Sequence, residues 1–177
     1  MAHPWGESAA GAEADRGVLP GVGPAGMPSF LRAFVAGGGR VEVLERYGTL
    51  AARLLIGQIF LISGVMKLLD PAGTSAQMEG RGMFWVPFFL VAAMAVELGG
   101  GLSLLLGYKA RLGALALFLF LIPVTLTFHN FWTYPPEQQQ QQAIMFMHNL
   151  TLMGGLLLVM TVGPGPFSLD LWKRRSP

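Results

Sequence analysis

Polar and apolar residues are sorted into long blocks along this chain. Four apolar runs cover about residues 50–69, 84–106, 112–131 and 143–162. Each run has about 20 residues, the length at which an α-helix crosses ~30 Å of hydrocarbon. The runs are continuous and lack the period-two alternation of membrane-spanning strands, which disfavours strands. The pattern therefore predicts an all-α polytopic membrane protein, a four-transmembrane-helix bundle.

The segments outside these runs divide the chain further. Residues 1–45 are rich in Gly, Ala and Pro and lack periodicity, so we expect a disordered or interfacial N-terminal extension. Residues 1–26 fit either an extension from an over-long start assignment or a genuine cytoplasmic tail. The membrane domain is predicted over residues 46–170, and a basic cytoplasmic tail over residues 171–177.

Composition agrees with a membrane location. Apolar residues make up 53% of the 177 residues and charged residues only 12%, whereas soluble domains carry about 25% charged residues. The sequence pI of about 9.3 does not indicate nucleic acid, because the basic residues flank the apolar runs. The absence of cysteine excludes thiolate zinc, thiolate-held iron–sulfur clusters and thiol redox chemistry in this chain.

The distribution of lysine and arginine predicts the orientation. Ten of the twelve basic residues lie in the N-terminal segment, at the start of the first run, in the loop between the second and third runs, and in the tail. The other side has only Lys67 and Arg81. Cytoplasmic loops carry the excess of positive charge, so both termini are expected in the cytoplasm.

One face of the first helix carries both charges and small residues. Steps of four, three, four and three residues along a helix place five residues on this face: Arg53, Gly57, Phe60, Gly64 and Lys67. Glycine allows another helix to approach closely. We expect helix packing through Gly57 and Gly64, and through Gly100 and Gly101 in the second run.

Ionisable groups in lipid cost a few kcal/mol each and so indicate a site or a structural pair. At 1.5 Å per residue, Glu97 is roughly 13 Å and Arg53 roughly 5 Å from the cytoplasmic ends of their helices, so an Arg53–Glu97 pair is plausible. A second polar layer is expected nearer the outside, and it comprises Ser63, Lys67, His129, His148 and Asn149. Snorkelling toward the interface is the alternative for Arg53 and Lys67.

Metal binding is not favoured by the pattern. His129 and His148 lie at similar predicted depth and could ligate one haem b, but two histidines in a small bundle are a weak signal. Met145 and Met147 point about 160° apart on a helix, which disfavours a Cu(I) site. We therefore expect no metal.

Several segments resemble the DoxX family. In the first helix the stretch is Arg53 followed by LLIGQIFLISGVMKLLDP, and in the second it is Val96-Glu97 followed by LGGGL. Two later stretches continue the likeness: FHNFW from Phe128 and NLTLMGG from Asn149. The resemblance implies a four-helix protein of the bacterial cytoplasmic (inner) membrane, linked to redox processes and assembled with other subunits. It implies no catalytic residues.

Three functions remain open at this point. The first is a small membrane subunit of a quinone-linked redox complex, in which Glu97 or His129 exchanges protons with a quinone. The second is a non-catalytic anchor or assembly subunit, and the third is a small-solute or proton conduit. Partners are expected to be the lipid bilayer together with other subunits or further copies of this chain. Whether the chain is itself an enzyme stays open.

Overall fold

A computed structural model of the protein describes residues 38–175, with side chains over residues 46–173. The described residues form helices and contain no strand, and all but the first four belong to one compact unit that begins at Glu42. The six α-helices of the described residues are α1 (Gly38–Leu69), α2 (Pro71–Glu79), α3 (Val86–Leu106), α4 (Ala110–Phe128), α5 (Pro136–Val162) and α6 (Leu169–Arg175). A short 3₁₀ turn, Phe131–Thr133, joins α4 to α5.

Four of these segments are long and apolar enough to cross a membrane. They are Arg46–Leu69 in α1, all of α3, α4 with its following turn (Ala110–Thr133), and all of α5. The prediction of an all-α protein with four membrane spans is therefore confirmed. Most large apolar side chains on these helices are exposed on the outside of the bundle, as expected for surfaces that contact lipid.

The helix boundaries differ from the apolar runs at two places. Helix α1 begins at Gly38 and so includes residues 38–45, which the sequence assigned to the N-terminal extension; residues 1–37 lie outside the described residues. Helix α5 begins at Pro136 and includes the five glutamines at residues 138–142, which precede the fourth apolar run. Proline is favoured in the first turn of a helix, and the acidic Glu137 complements the helix dipole there.

Close contact between α1 and α3 sets their register. A Cβ at Gly57 would lie 3.0 Å from the carbonyl oxygen of Gly101, and a Cβ at Gly64 would lie 2.7 Å from Leu98 Cγ. Two backbones can approach this closely only where side chains are missing. Gly100 makes similar room for a leucine of α4, Leu117, whose Cγ would lie 2.5 Å from an added Cβ.

This register places Arg53 away from Glu97. The Arg53 guanidinium is buried, with 1% of the residue exposed. It donates to the carbonyl oxygen of Leu104 at 3.2 Å and to that of Phe167 in the segment before α6. The expected Arg53–Glu97 pair is therefore wrong: α1 reaches the level of Glu97 only about three to four turns later.

The segment after α5 folds back onto the loop between α3 and α4. The carboxylate of Asp170 accepts hydrogen bonds from the backbone N–H groups of Lys109 and Ala110, at 2.8 and 3.2 Å. The N–H of Asp170 donates to the carbonyl oxygen of Gly107 at 3.0 Å. Asp170 thus satisfies donors at the start of α4, which Lys109 itself does not cap. Arg53 and Asp170 together attach this segment to the end of the bundle.

Candidate functional site

A cavity of about 460 Å³ lies among α1, α2, α3, α4 and α5. Its walls are mainly apolar side chains, including Phe60, Met78 and Phe120. Five of the polar residues singled out in the sequence line it: Ser63, Lys67, Glu97, His129 and Asn149. A mainly apolar cavity with a few converging polar groups is the usual form of a small-molecule site.

The charged end of the cavity is a network of three side chains. The Lys67 ammonium donates to Ser63 Oγ at 2.7 Å and to Glu97 Oε1 at 3.0 Å. The Ser63 hydroxyl also donates to Glu97 Oε1, at 3.0 Å. The side chain of Glu97 is 6% exposed and that of Lys67 is 20% exposed. The network thus places one ion pair inside the bundle, with Lys67 as the more accessible partner.

The second carboxylate oxygen of Glu97 is less well satisfied than the first. Glu97 Oε2 lies 2.9 Å from Lys67 Nζ, but it is buried and accepts no hydrogen bond from the described residues. Buried carboxylate oxygens are normally hydrogen-bonded. An ammonium has three N–H groups, of which the bonds to Ser63 and to Oε1 use two. The network therefore retains both an acceptor and a donor for a further group.

His129 and Asn149 line the same cavity, and each is held by one hydrogen bond. His129 ends α4, and its Nδ1 lies 2.9 Å from Gln142 Oε1 of α5. This contact occupies Nδ1 and leaves Nε2 of the ring for a further partner. Asn149 Nδ2 donates to Thr125 Oγ1 at 3.0 Å. Both contacts tie α4 to α5 beside the cavity.

Two of the predicted site residues lie elsewhere. Arg53 lies about four turns before Lys67 on α1, is bound to backbone carbonyls and does not line the cavity. His148 is exposed on α5 and does not line the cavity either. Successive helical residues differ by about 100° in direction, so Asn149 faces inward while His148 faces outward. Assigning both to one polar layer from depth alone was wrong.

Two contributors to the site were missed from the sequence. Helix α2 provides Thr74, Gln77 and Met78 to the cavity wall. The sequence contains a helix-start signal for α2, the pair Asp70-Pro71. Asp70 caps the helix by accepting from the N–H of the third helical residue at 2.8 Å, and the proline occupies the first helical position. Gln142 was hidden within the glutamine run, where nothing distinguishes it from its neighbours.

Metal ligation is not indicated by the geometry. Within the part of the chain that the structure describes, no group of three or more His, Asp or Glu side chains could hold a metal ion. His129 lines the cavity, whereas His148 is exposed on α5 and does not line it.

Known proteins share this membrane core. A model of the DoxX family matches residues 48–130. The Escherichia coli inner membrane protein YqjF is 38% identical over 131 residues, which are 73% of this chain and 95% of that protein. The chain belongs to the DoxX family. With its four spans, it is a multi-pass inner membrane protein.

More distant relatives share only part of their length with this DoxX-family chain. The surfeit locus protein 4 homologue of Schizosaccharomyces pombe is 30% identical over 130 residues, which are 72% of this chain and 38% of that protein. The ER-derived vesicles protein ERV29 of Saccharomyces cerevisiae is 33% identical over 75 residues, which are 42% of this chain and 24% of that protein. No solved structure matches the chain.

Proposed function

We propose that this protein binds a quinone headgroup in the cavity and acts as a small membrane subunit of a quinone-linked redox complex. The observation that supports this most directly is the buried Glu97 carboxylate beside Lys67, with Oε2 still able to accept a hydrogen bond. A group that can take up or release a proton inside an apolar cavity is what quinone reduction and oxidation require.

The shape and chemistry of the cavity suit such a ligand. Its volume of about 460 Å³ falls within the range of about 300–1,000 Å³ common for small-molecule sites. Ile59 and Phe89 line it and are each nearly half exposed, at 46% and 45%. The cavity wall therefore reaches the lipid-facing surface, from which a quinone in the bilayer can enter.

In the proposed reaction, this chain binds the quinone and exchanges protons with it, and a partner subunit supplies the electrons. A quinone becomes a quinol when it gains two electrons and two protons, with one O–H bond formed at each carbonyl oxygen. The remaining N–H of Lys67 would bind one carbonyl oxygen, where Glu97, which accepts from both Lys67 and Ser63, would exchange one proton. The second proton would pass between the other carbonyl oxygen and His129, which lines the same cavity. The electrons would come from a partner subunit that carries a flavin or metal centre.

Titration of purified protein with a short-chain ubiquinone tests the binding step. Tryptophan fluorescence is a suitable readout, since Trp85 precedes α3 and Trp132 lies in the 3₁₀ turn, on the side of the bundle where His129 lies. We expect Glu97→Gln to weaken binding about ten-fold, equivalent to ~1.4 kcal/mol. Glu137→Gln is the matched control, because Glu137 is an exposed acid in the first turn of α5.

The outcomes separate the proposal from its alternative. Equal binding by the wild-type, Glu97→Gln and Glu137→Gln proteins would remove Glu97 from the site. A wild-type protein that binds no quinone, yet purifies in stoichiometric complex with a redox enzyme, would favour the non-catalytic anchor. Thermal unfolding of each variant shows whether a loss of binding reflects a loss of fold.

A further inference from the structure

An open groove of about 450 Å³ runs between α3 and α4 on the outer surface of the bundle. Three glycines line it, Gly99 and Gly100 of α3 and Gly113 of α4. A Cβ added at Gly99 would meet nothing within 4 Å, so the described residues leave this part of the groove empty. Along α3 the groove extends from Ser103 to Ala95, which is about 12 Å. This length is most of one leaflet of a hydrocarbon core ~30 Å thick, so the groove has the depth and the length to hold an acyl chain.

Two lysines lie together at one end of this groove. Tyr108 and Lys109, in the loop between α3 and α4, line the groove. The Lys109 ammonium lies 5.8 Å from the centre of the Tyr108 ring, and the ammonium of Lys173 in α6 lies 4.3 Å from the same ring centre. Both lysines are exposed, and neither forms an ion pair with an acidic side chain among residues 46–173. The end of the groove therefore carries two positive charges that are accessible to an anion.

Asp170 fixes this loop without neutralising the lysine side chains through an ion pair. Its carboxylate accepts hydrogen bonds from the backbone N–H groups of Lys109 and Ala110, at 2.8 and 3.2 Å. These bonds attach α6 to the loop, and Lys173 follows Asp170 by three residues in the same helix. The folding back of α6 thus brings the second ammonium to a loop whose backbone is already held in place.

We propose that the groove and its loop bind a phospholipid with an anionic headgroup. The headgroup binds to the ammonium groups of Lys109 and Lys173, and an acyl chain occupies the groove along the glycines. Basic pockets between membrane helices bind anionic headgroups in this way. Tyr108, which is 38% exposed, is of the residue type that lies at the headgroup level of a bilayer. A zwitterionic headgroup carries its own ammonium beside the phosphate, so the two lysines select for net negative charge. The site does not involve the cavity that contains Glu97.

Native mass spectrometry of the detergent-purified protein tests headgroup selection with two lipids of identical acyl chains. Palmitoyl-oleoyl phosphatidylglycerol is anionic, and palmitoyl-oleoyl phosphatidylcholine is zwitterionic. We expect the wild-type protein to retain the anionic lipid about ten-fold more, and Lys109→Gln/Lys173→Gln to retain the two lipids equally. Arg81→Gln is the charge control, because Arg81 is exposed in the loop between α2 and α3, and it should keep the preference. A wild-type protein without a preference, a preference that survives in the double variant, or one that Arg81→Gln also abolishes would overturn the proposal.

Filling the groove tests the acyl-chain contact separately from the charges. Gly99→Leu places a side chain where the structure has open space and should lower the retention of phosphatidylglycerol several-fold. Gly154→Leu is the matched control, since Gly154 is an exposed glycine of α5 at which a Cβ also meets nothing within 4 Å. Ala116→Leu fills the same groove from α4 and gives a second variant if thermal unfolding shows that Gly99→Leu has lost its fold. Retention by a folded groove variant equal to that by Gly154→Leu would contradict the proposal.

Discussion

The ion pair between Lys67 and Glu97 is the residue-scale feature on which the site depends, and its two members should be strongly coupled. Lys67→Met leaves a buried carboxylate without its cation, which should destabilise the protein by up to about 3 kcal/mol. The double variant Lys67→Met/Glu97→Gln removes both charges and should recover most of that loss, since the Ser63 hydroxyl can still donate to the new side-chain amide oxygen. Thermal unfolding in detergent gives the stability of the wild-type protein, of Lys67→Met, of Glu97→Gln and of the double variant. Additive losses would show that the two side chains do not act as a pair.

Sequence reasoning found the members of this network but not its pairing. Glu97 and Lys67 stood out because ionisable residues are rare within apolar runs. Their pairing depends on how far α1 is displaced along α3, and the closest contacts that set this, such as Gly57 with Gly101, are not encoded in either helix alone. Measuring depth from the ends of the apolar runs therefore matched Glu97 with Arg53 instead of Lys67.

The close contact between α1 and α3 predicts how alanine substitutions at two glycines of α3 affect stability. A Cβ at Gly101 would lie 2.9 Å from the Gly57 carbonyl oxygen and 3.0 Å from Leu61 Cγ, whereas a Cβ at Gly99 would meet nothing within 4 Å. Gly101→Ala should therefore force the helices apart and cost about 1–3 kcal/mol. Gly99→Ala is on the same helix and should be neutral or slightly stabilising, because alanine favours helix formation. Equal unfolding temperatures for the two variants would argue against tight packing at Gly101.

Apolar length predicted the spans but not the short elements that complete the cavity. Helix α2 has only nine residues and few apolar positions, so hydrophobic periodicity could not reveal it. Its capping residues Asp70 and Pro71 were visible, yet the same pair also signals a simple turn. The first turns of α5 were missed because glutamine is polar, although it forms helices readily.

Two groups of charged side chains lie at different levels of the bundle. Arg53 and Asp170 fix the segment after α5 at the end where α1 enters the bundle, while Lys67 and Glu97 lie further along α1 beside the cavity. The second group lines the cavity, whereas the first binds backbone carbonyl and N–H groups. A fold of this kind can hold a ligand near one side of the membrane while α6 is attached to the bundle on the other.

Membrane orientation is predicted from the basic residues that flank the spans. The sequence places ten on the side of the termini and two on the other. Arg53 is buried against carbonyl oxygens and Lys67 is paired with Glu97, which leaves nine against one. The remaining one, Arg81, stacks on the ring of Tyr134 at 4.4 Å. Because cytoplasmic segments carry the excess of Lys and Arg, this imbalance predicts termini in the cytoplasm.

Reporter fusions test this orientation, because each reporter works on one side of the membrane only. Green fluorescent protein fused after Pro177 should fluoresce, and alkaline phosphatase at the same position should be inactive, since the phosphatase folds only after export. Phosphatase fused after Arg81, in the loop between α2 and α3, should be active. The loop lies near the end of α1 that carries Lys67, so an active fusion there would also place the charged end of the cavity nearer the outer face. The reverse pattern would place that end on the cytoplasmic side, where a quinone would exchange protons with the cytoplasm instead.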